Sequence, residues 1–87
     1  MSETQSESAQ SDIVMFWRPG CGFCSSLERN LVRAEVAFEK RNIWDDAGAA
    51  AFVRSVARGN EVVPTVVVKG RAMVNPSVND VLAALVS

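Results

Sequence analysis

Ile13-Val14-Met15-Phe16-Trp17-Arg18-Pro19-Gly20-Cys21-Gly22-Phe23-Cys24 is the stretch of this 87-residue chain whose reading decides the fold. Its first five residues are continuously apolar and of strand length, the pattern of a strand covered on both faces and so central in a sheet. Arg18-Pro19-Gly20 breaks the run. Beyond it Phe23, Leu27, Leu31 and Ala34 recur at helical spacing, opposite polar Ser25, Ser26, Arg29, Asn30 and Arg33. A first helix therefore begins at the two cysteines.

Downstream, Val36 and Phe38 alternate with Ala37 and Glu39 before the chain turns strongly charged, which predicts a second strand over 36–43 near a sheet edge. Asp45-Asp46 supplies an N-cap for a second helix whose stripe is Ala49, Phe52, Val53 and Val56 and which ends at Gly59-Asn60. Pro64 stands at the start of a β-branched strand, Thr65-Val66-Val67-Val68, and a Lys69-Gly70 turn joins it to Ala72-Met73-Val74 as a hairpin. Asn75-Pro76-Ser77 offers a cap residue and a proline suited to the first helical position. Val78, Val81, Leu82 and Leu85 follow as the stripe of a third helix. The order is strand, helix, strand, helix, strand, strand, helix, an α/β fold with a four-stranded mixed sheet whose first two strands are parallel. The tract 1–12 holds four serines, two glutamines and three acids and reads as a flexible tail, leaving one domain over 13–87.

A chain this short buries only somewhat more than ~60% of its unfolded surface, enough for one core. Its 48% hydrophobic and 22% charged residues are ordinary for a globular domain. With a formal charge of -1 and a pI near 5.3 it has no cationic field for nucleic acid. No apolar run is long enough to span a membrane, and no secretory signal opens the chain, so a cytoplasmic location is expected. With no His and no Tyr, the sequence has no Cys-His or Ser-His pair, no His-ligated metal and no tyrosine acid.

What chemistry remains lies in Cys21-Gly22-Phe23-Cys24. Two cysteines at a helix start put the first sulfur beside free backbone N–H groups and the positive end of the helix dipole, and both favour a thiolate. An ordinary thiol near pKa ~8.5 is only a few per cent ionised at neutral pH, whereas motifs of this kind lower it to roughly 3.5 to 7.5. Cys21 is therefore the nucleophile. Cys24, one turn further in, is the resolving thiol that attacks a mixed disulfide formed on Cys21. Zinc binding by this pair would need carboxylates to complete the ligand set. A purely structural bridge closing so short a loop stabilises little, and a reducing compartment opposes it. Coincidence is the remaining alternative, and the strand before and helix after the motif argue against it.

The strand, the Cys21-Gly22-Phe23-Cys24 helix start and Val63-Pro64-Thr65 before a valine-rich strand resemble a glutaredoxin over about residues 13 to 86. That resemblance implies the thioredoxin-like fold, a cis Pro64 beside the active helix, and a Val63 backbone that pairs with the thiol substrate. It also implies a Phe23 that lies over the bound thiol. Asn42-Ile43-Trp44-Asp45-Asp46, Ala50-Ala51-Phe52-Val53, Gly59-Asn60-Glu61-Val62 and Asn75-Pro76-Ser77 are most similar to the mycoredoxin branch, which uses mycothiol in place of glutathione. Two departures stand out. Val74-Asn75-Pro76-Ser77 replaces the paired glycines common in glutaredoxins, and Pro19-Gly20 replaces the aromatic residue that often precedes the first Cys.

Arg18 either supports the Cys21 thiolate or binds a carboxylate of the small thiol, unless it is a solvated surface charge. Ser77 either caps the last helix with Asp80 or holds an anion there. Trp17 and Trp44, next to strand ends, read as core or rim packing. The expected activity is reduction of mixed disulfides between proteins and a low-molecular-weight thiol, mycothiol or glutathione, which serves as co-substrate with no bound cofactor. Cys21 and Cys24 are the catalytic residues, and Arg18, Phe23, Val63, Pro64, Asn75 and Ser77 the thiol-binding ones. The expected partners are thiolated or disulfide-containing proteins, with no nucleic acid, no membrane and a monomeric state. A dithiol electron donor, for example to ribonucleotide reductase, an iron-sulfur carrier and a non-catalytic binding module are the competing classes.

Overall fold

The computed structural model describes residues 12–87; the tail expected over 1–12 falls outside it except for Asp12. Seven elements follow in order: β1 (Ile13–Trp17), α1 (Gly22–Arg33), β2 (Glu39–Asn42), α2 (Ala47–Val56), β3 (Thr65–Val68), β4 (Arg71–Val74) and α3 (Val78–Val86). The strands form one sheet in the order β2-β1-β3-β4, with β1 parallel to β2 and antiparallel to β3, and β3 antiparallel to β4. This is the thioredoxin-like arrangement of a glutaredoxin, with the βαβαββα order read from the sequence.

The unbroken apolar run of β1 is explained by its central place. Ile13 and Met15 join Leu27, Leu31, Val66, Val68 and Val81 in the core under α1 and α3. On the opposite face Phe16 packs with Ile43, Ala49, Ala50 and Val53 of the α2 side, its ring 5.0 Å from that of Phe52. Side chains alternate across a strand, so burial on both faces demands apolar residues at every position. The β3–β4 hairpin turns through Lys69 and Gly70, both at positive φ (51° and 85°), the backbone that matches the twist of a two-residue turn.

Four local readings change. β2 begins at Glu39, because only residues 39–42 pair with β1; Val36 and Phe38 lie ahead of the ladder and pack, half-buried, on the core. The buried stripe of α1 runs Cys24, Leu27, Leu31, whereas Phe23 is 73% exposed and Ala34 is also exposed. Pro76 is not the first residue of α3: Ser77 is the cap and the helix opens at Val78. Asn75, at φ 54°, instead carries the chain out of β4 with its N–H donated to the Pro64 carbonyl at 2.7 Å. Trp44 does not pack into the core or its rim but is 63% exposed. Among the described residues no helix is long and apolar enough to cross a membrane.

Candidate functional site around Cys21

Cys21 follows the turn that leaves the central strand, and Gly20 in that turn sits at φ +82°, where an L side chain is strained. Cys21 itself has extended backbone (φ -91°, ψ 108°) and is the N-cap of α1, its Sγ accepting the N–H of Cys24 at 3.1 Å. A sulfur thus takes the place that Ser, Thr or Asp usually fills, directed at an otherwise unsatisfied helix donor. Cys21 and Cys24 are joined as a disulfide, with Cα atoms 5.2 Å apart. Of the two, Cys21 is 9% exposed and Cys24 only 2%, so an external sulfur has readier access to Cys21. No acidic residue stands in the first turn of α1, which leaves the positive end of that helix facing Cys21 without a competing carboxylate.

The Val63-Pro64 peptide bond is cis, and the Val63 carbonyl oxygen lies 3.8 Å from Cys21 Sγ. Buried Thr65 holds the approach to this bond by donating its hydroxyl to the Val62 carbonyl at 2.8 Å. Beside Pro64 runs an open groove of ≈ 340 Å³, bounded on the α1 side by Phe23, Ser26, Leu27 and Asn30. Its other wall is Pro64 with Asn75, Pro76, Ser77 and Val78. None of these lining side chains is ionisable. Ser77 is committed to a capping box: its Oγ accepts the Asp80 N–H at 3.1 Å, and its own N–H donates to the Asp80 carboxylate at 3.0 Å. Asp80 thereby holds the anionic position at the start of α3, and a serine hydroxyl that accepts one bond in this way still has a proton to donate.

Of the residues singled out from sequence, Cys21 and Val63 are in contact, and Phe23, Pro64, Asn75 and Ser77 share the groove. Arg18 is elsewhere. Its guanidinium donates to the Pro19 carbonyl at 3.1 Å and lies 5.6 Å from the centre of the Trp44 ring, on the β2 side of Cys21. Ser26 and Asn30 were not identified from sequence as groove residues; their i, i+4 spacing on the polar side of the α1 stripe was the available signal.

The glutaredoxin family profile matches residues 13–73 of this chain. Proteins from two strains of Mycobacterium tuberculosis, each provisionally named a glutaredoxin, are 40% identical over 67 residues, which is 76% of this chain and 80% of theirs. Two solved structures share the fold. A thioredoxin-like protein superposes with a TM-score of 0.73 at 23% identity, over 84% of this chain and 99% of that one. A glutaredoxin from Archaeoglobus fulgidus gives 0.70 at 22% identity, over 88% of this chain and 87% of that one. Fold, matched profile and the Cys21-Cys24 redox pair converge: the chain belongs to the glutaredoxin family of thiol-disulfide oxidoreductases.

Proposed function

We propose that this protein reduces mixed disulfides between other proteins and a hydroxyl-rich small thiol, mycothiol in preference to glutathione. The observation that carries the reading is Cys21 Sγ held at the free N-terminus of α1 and bordered by the Val63 carbonyl. On reduction the Cys21 thiolate takes up the Cys24 N–H and the helix-end field. It attacks the small-thiol sulfur of the mixed disulfide, forming a Cys21–small-thiol disulfide as the protein sulfur departs as thiolate and takes a proton from solvent. A second small-thiol thiolate then attacks the bound small-thiol sulfur, releasing the oxidised thiol dimer and the Cys21 thiolate. In the other branch Cys24 loses its proton and attacks Cys21, expelling the small thiol and leaving the Cys21–Cys24 disulfide, which an external thiol pair reduces.

The identity of the thiol rests on chemistry. Glutathione carries carboxylates and an ammonium group, and binding them calls for opposite charges, whereas the groove offers the hydroxyls and amides of Ser26, Asn30, Asn75 and Ser77 beside the Phe23 ring. Such a lining suits a neutral, hydroxyl-bearing body. The resemblance of Asn75-Pro76-Ser77 to the mycoredoxin branch points the same way. The proposed setting is the cytosol and the proposed partners are thiolated proteins.

The test is the release of protein thiol from one labelled protein joined to mycothiol or to glutathione. We expect kcat/KM to favour the mycothiol adduct, Cys21→Ser to abolish turnover and Cys24→Ser to retain it with mycothiol as reductant. Asn30→Ala lowers kcat/KM for the mycothiol adduct about fivefold, the equivalent of one hydrogen bond. Equal rates on both adducts would refute the thiol assignment. Activity only with thioredoxin reductase as electron source would favour a dithiol donor.

A further inference from the structure

We propose that Arg18 and Trp44 form the docking surface for the polypeptide half of the mixed disulfide and select a segment with a carboxylate side chain next to its cysteine. The inference rests on the reading of Cys21 as the nucleophile toward such disulfides. A mixed disulfide has two halves, and the neutral groove lies on the β3–β4 side of Cys21. The other side is formed where β1 and β2 end, and there the chemistry differs.

Trp44 presents a 63% exposed indole, yet its backbone is held in place. Its N–H donates to Asn42 Oδ1 at 2.9 Å, the Asp45 N–H to the Asn42 carbonyl at 3.1 Å, and the Ile43 N–H to the Trp17 carbonyl at 2.9 Å. A large aromatic surface kept in water on a pinned turn is the composition of an interface anchor. Arg18 lies over it, its guanidinium 5.6 Å from the ring centre. The same guanidinium passes close to the active turn: Arg18 Nη1 is 3.9 Å from where a Cβ on Gly20 would stand, one residue before Cys21. The two acids that follow Trp44 keep their charge but have hydrogen-bond donors of their own. The Asp45 carboxylate accepts from the Asn42 amide at 3.3 Å, and that of Asp46 caps α2 through the Ala49 N–H at 3.1 Å. A planar cation braced on an aromatic face, at the rim of a nucleophile, is matched by a carboxylate that pairs with the guanidinium while neighbouring apolar atoms cover the indole.

The experiment uses two synthetic peptides that differ only beside their single cysteine, Asp in one and Lys in the other, each joined to the same small thiol. Wild-type protein should give kcat/KM about fivefold higher for the Asp peptide, the upper end for an exposed ion pair. The ratio should shrink as salt is raised. Arg18→Gln should bring it to about one and Arg18→Glu should invert it. A general effect of Arg18 on the Cys21 thiol would slow both peptides equally and leave the ratio intact. A ratio that survives in Arg18→Gln, or no preference in the wild type, overturns the proposal. Fluorescence anisotropy of the same peptides with Cys replaced by Ser reads docking without exchange. Tighter binding of the Asp peptide that is lost in Arg18→Gln and weakened in Trp44→Ala supports the surface even if neither disulfide is turned over, an outcome that would sink only the enzymatic reading. Indistinguishable binding of the two peptides overturns the surface itself.

Discussion

The N-termini of α1 and α3 border the same groove and are capped with the same geometry, yet they serve different ends. At α3 the cap is the Ser77 hydroxyl, which accepts the N–H three residues on at 3.1 Å, and Asp80 closes the box and places a carboxylate in the first turn. At α1 the cap is the Cys21 sulfur, which accepts the N–H three residues on, also at 3.1 Å, and the first turn has no acid. One helix end has its charge neutralised by its own side chains, which favours stability. The other keeps its field for whatever form the sulfur takes, and the form that gains most is the thiolate. The contrast teaches that a cap becomes a reactive centre through two changes: a nucleophilic atom at the cap and the omission of the carboxylate beside it.

The largest break in this comparison is Cys21→Ser, which makes the α1 cap chemically like that of α3. Thiol-exchange activity should fall by about a thousandfold or more. The melting temperature of the reduced protein should stay within the small range of a surface substitution, because Ser is a good cap. A smaller and sharper test copies the α3 carboxylate onto α1 with Gly22→Asp, at a position where an added Cβ meets nothing within 4 Å. A negative charge there disfavours the thiolate, so the thiol pKa moves up and the ionised fraction at neutral pH drops. The rate of alkylation of Cys21 by iodoacetamide should fall about threefold below the thiol pKa and recover at alkaline pH. The smallest change removes the carboxylate from α3: Asp80→Ala should lower stability by about 1 kcal/mol, roughly 4–8 °C in a domain of this size, with the alkylation rate of Cys21 unaltered. A changed alkylation rate would show that the two helix ends are not independent.

Much of the fold is legible in the sequence because its signals are local. The apolar run 13–17 needs no partner to be recognised as a doubly covered strand, and Lys69-Gly70 after the β-branched run Thr65–Val68 reads as a turn from local chemistry alone. The helix stripes at Leu27-Leu31 and Ala49-Val53 likewise report their own buried faces. The misreadings have different causes. Pro76 and Trp44 each carry a signal that local pattern resolves in the common direction, toward helix start and rim, whereas Phe23, also part of the helical stripe, is exposed on the groove as the resemblance implied. At Pro76 a competing local signal wins, the Ser77–Asp80 capping box that the sequence also offers, and Trp44 meets Arg18 instead of a core.

The sequence by itself determined the order of elements, the place of the cysteines at a helix start, and their unequal positions, Cys21 at the cap and Cys24 one turn inside. Those properties depend on residues within a few positions of one another, where backbone geometry leaves little choice. Only the tertiary structure decided what stands around Cys21. The Val63 carbonyl reaches the sulfur from 42 residues away in sequence, the groove joins α1 to the segment after β4, and Arg18 is turned from that groove toward Trp44. These juxtapositions are made by strand pairing and core packing, which bring together side chains whose own types carry no record of their partners.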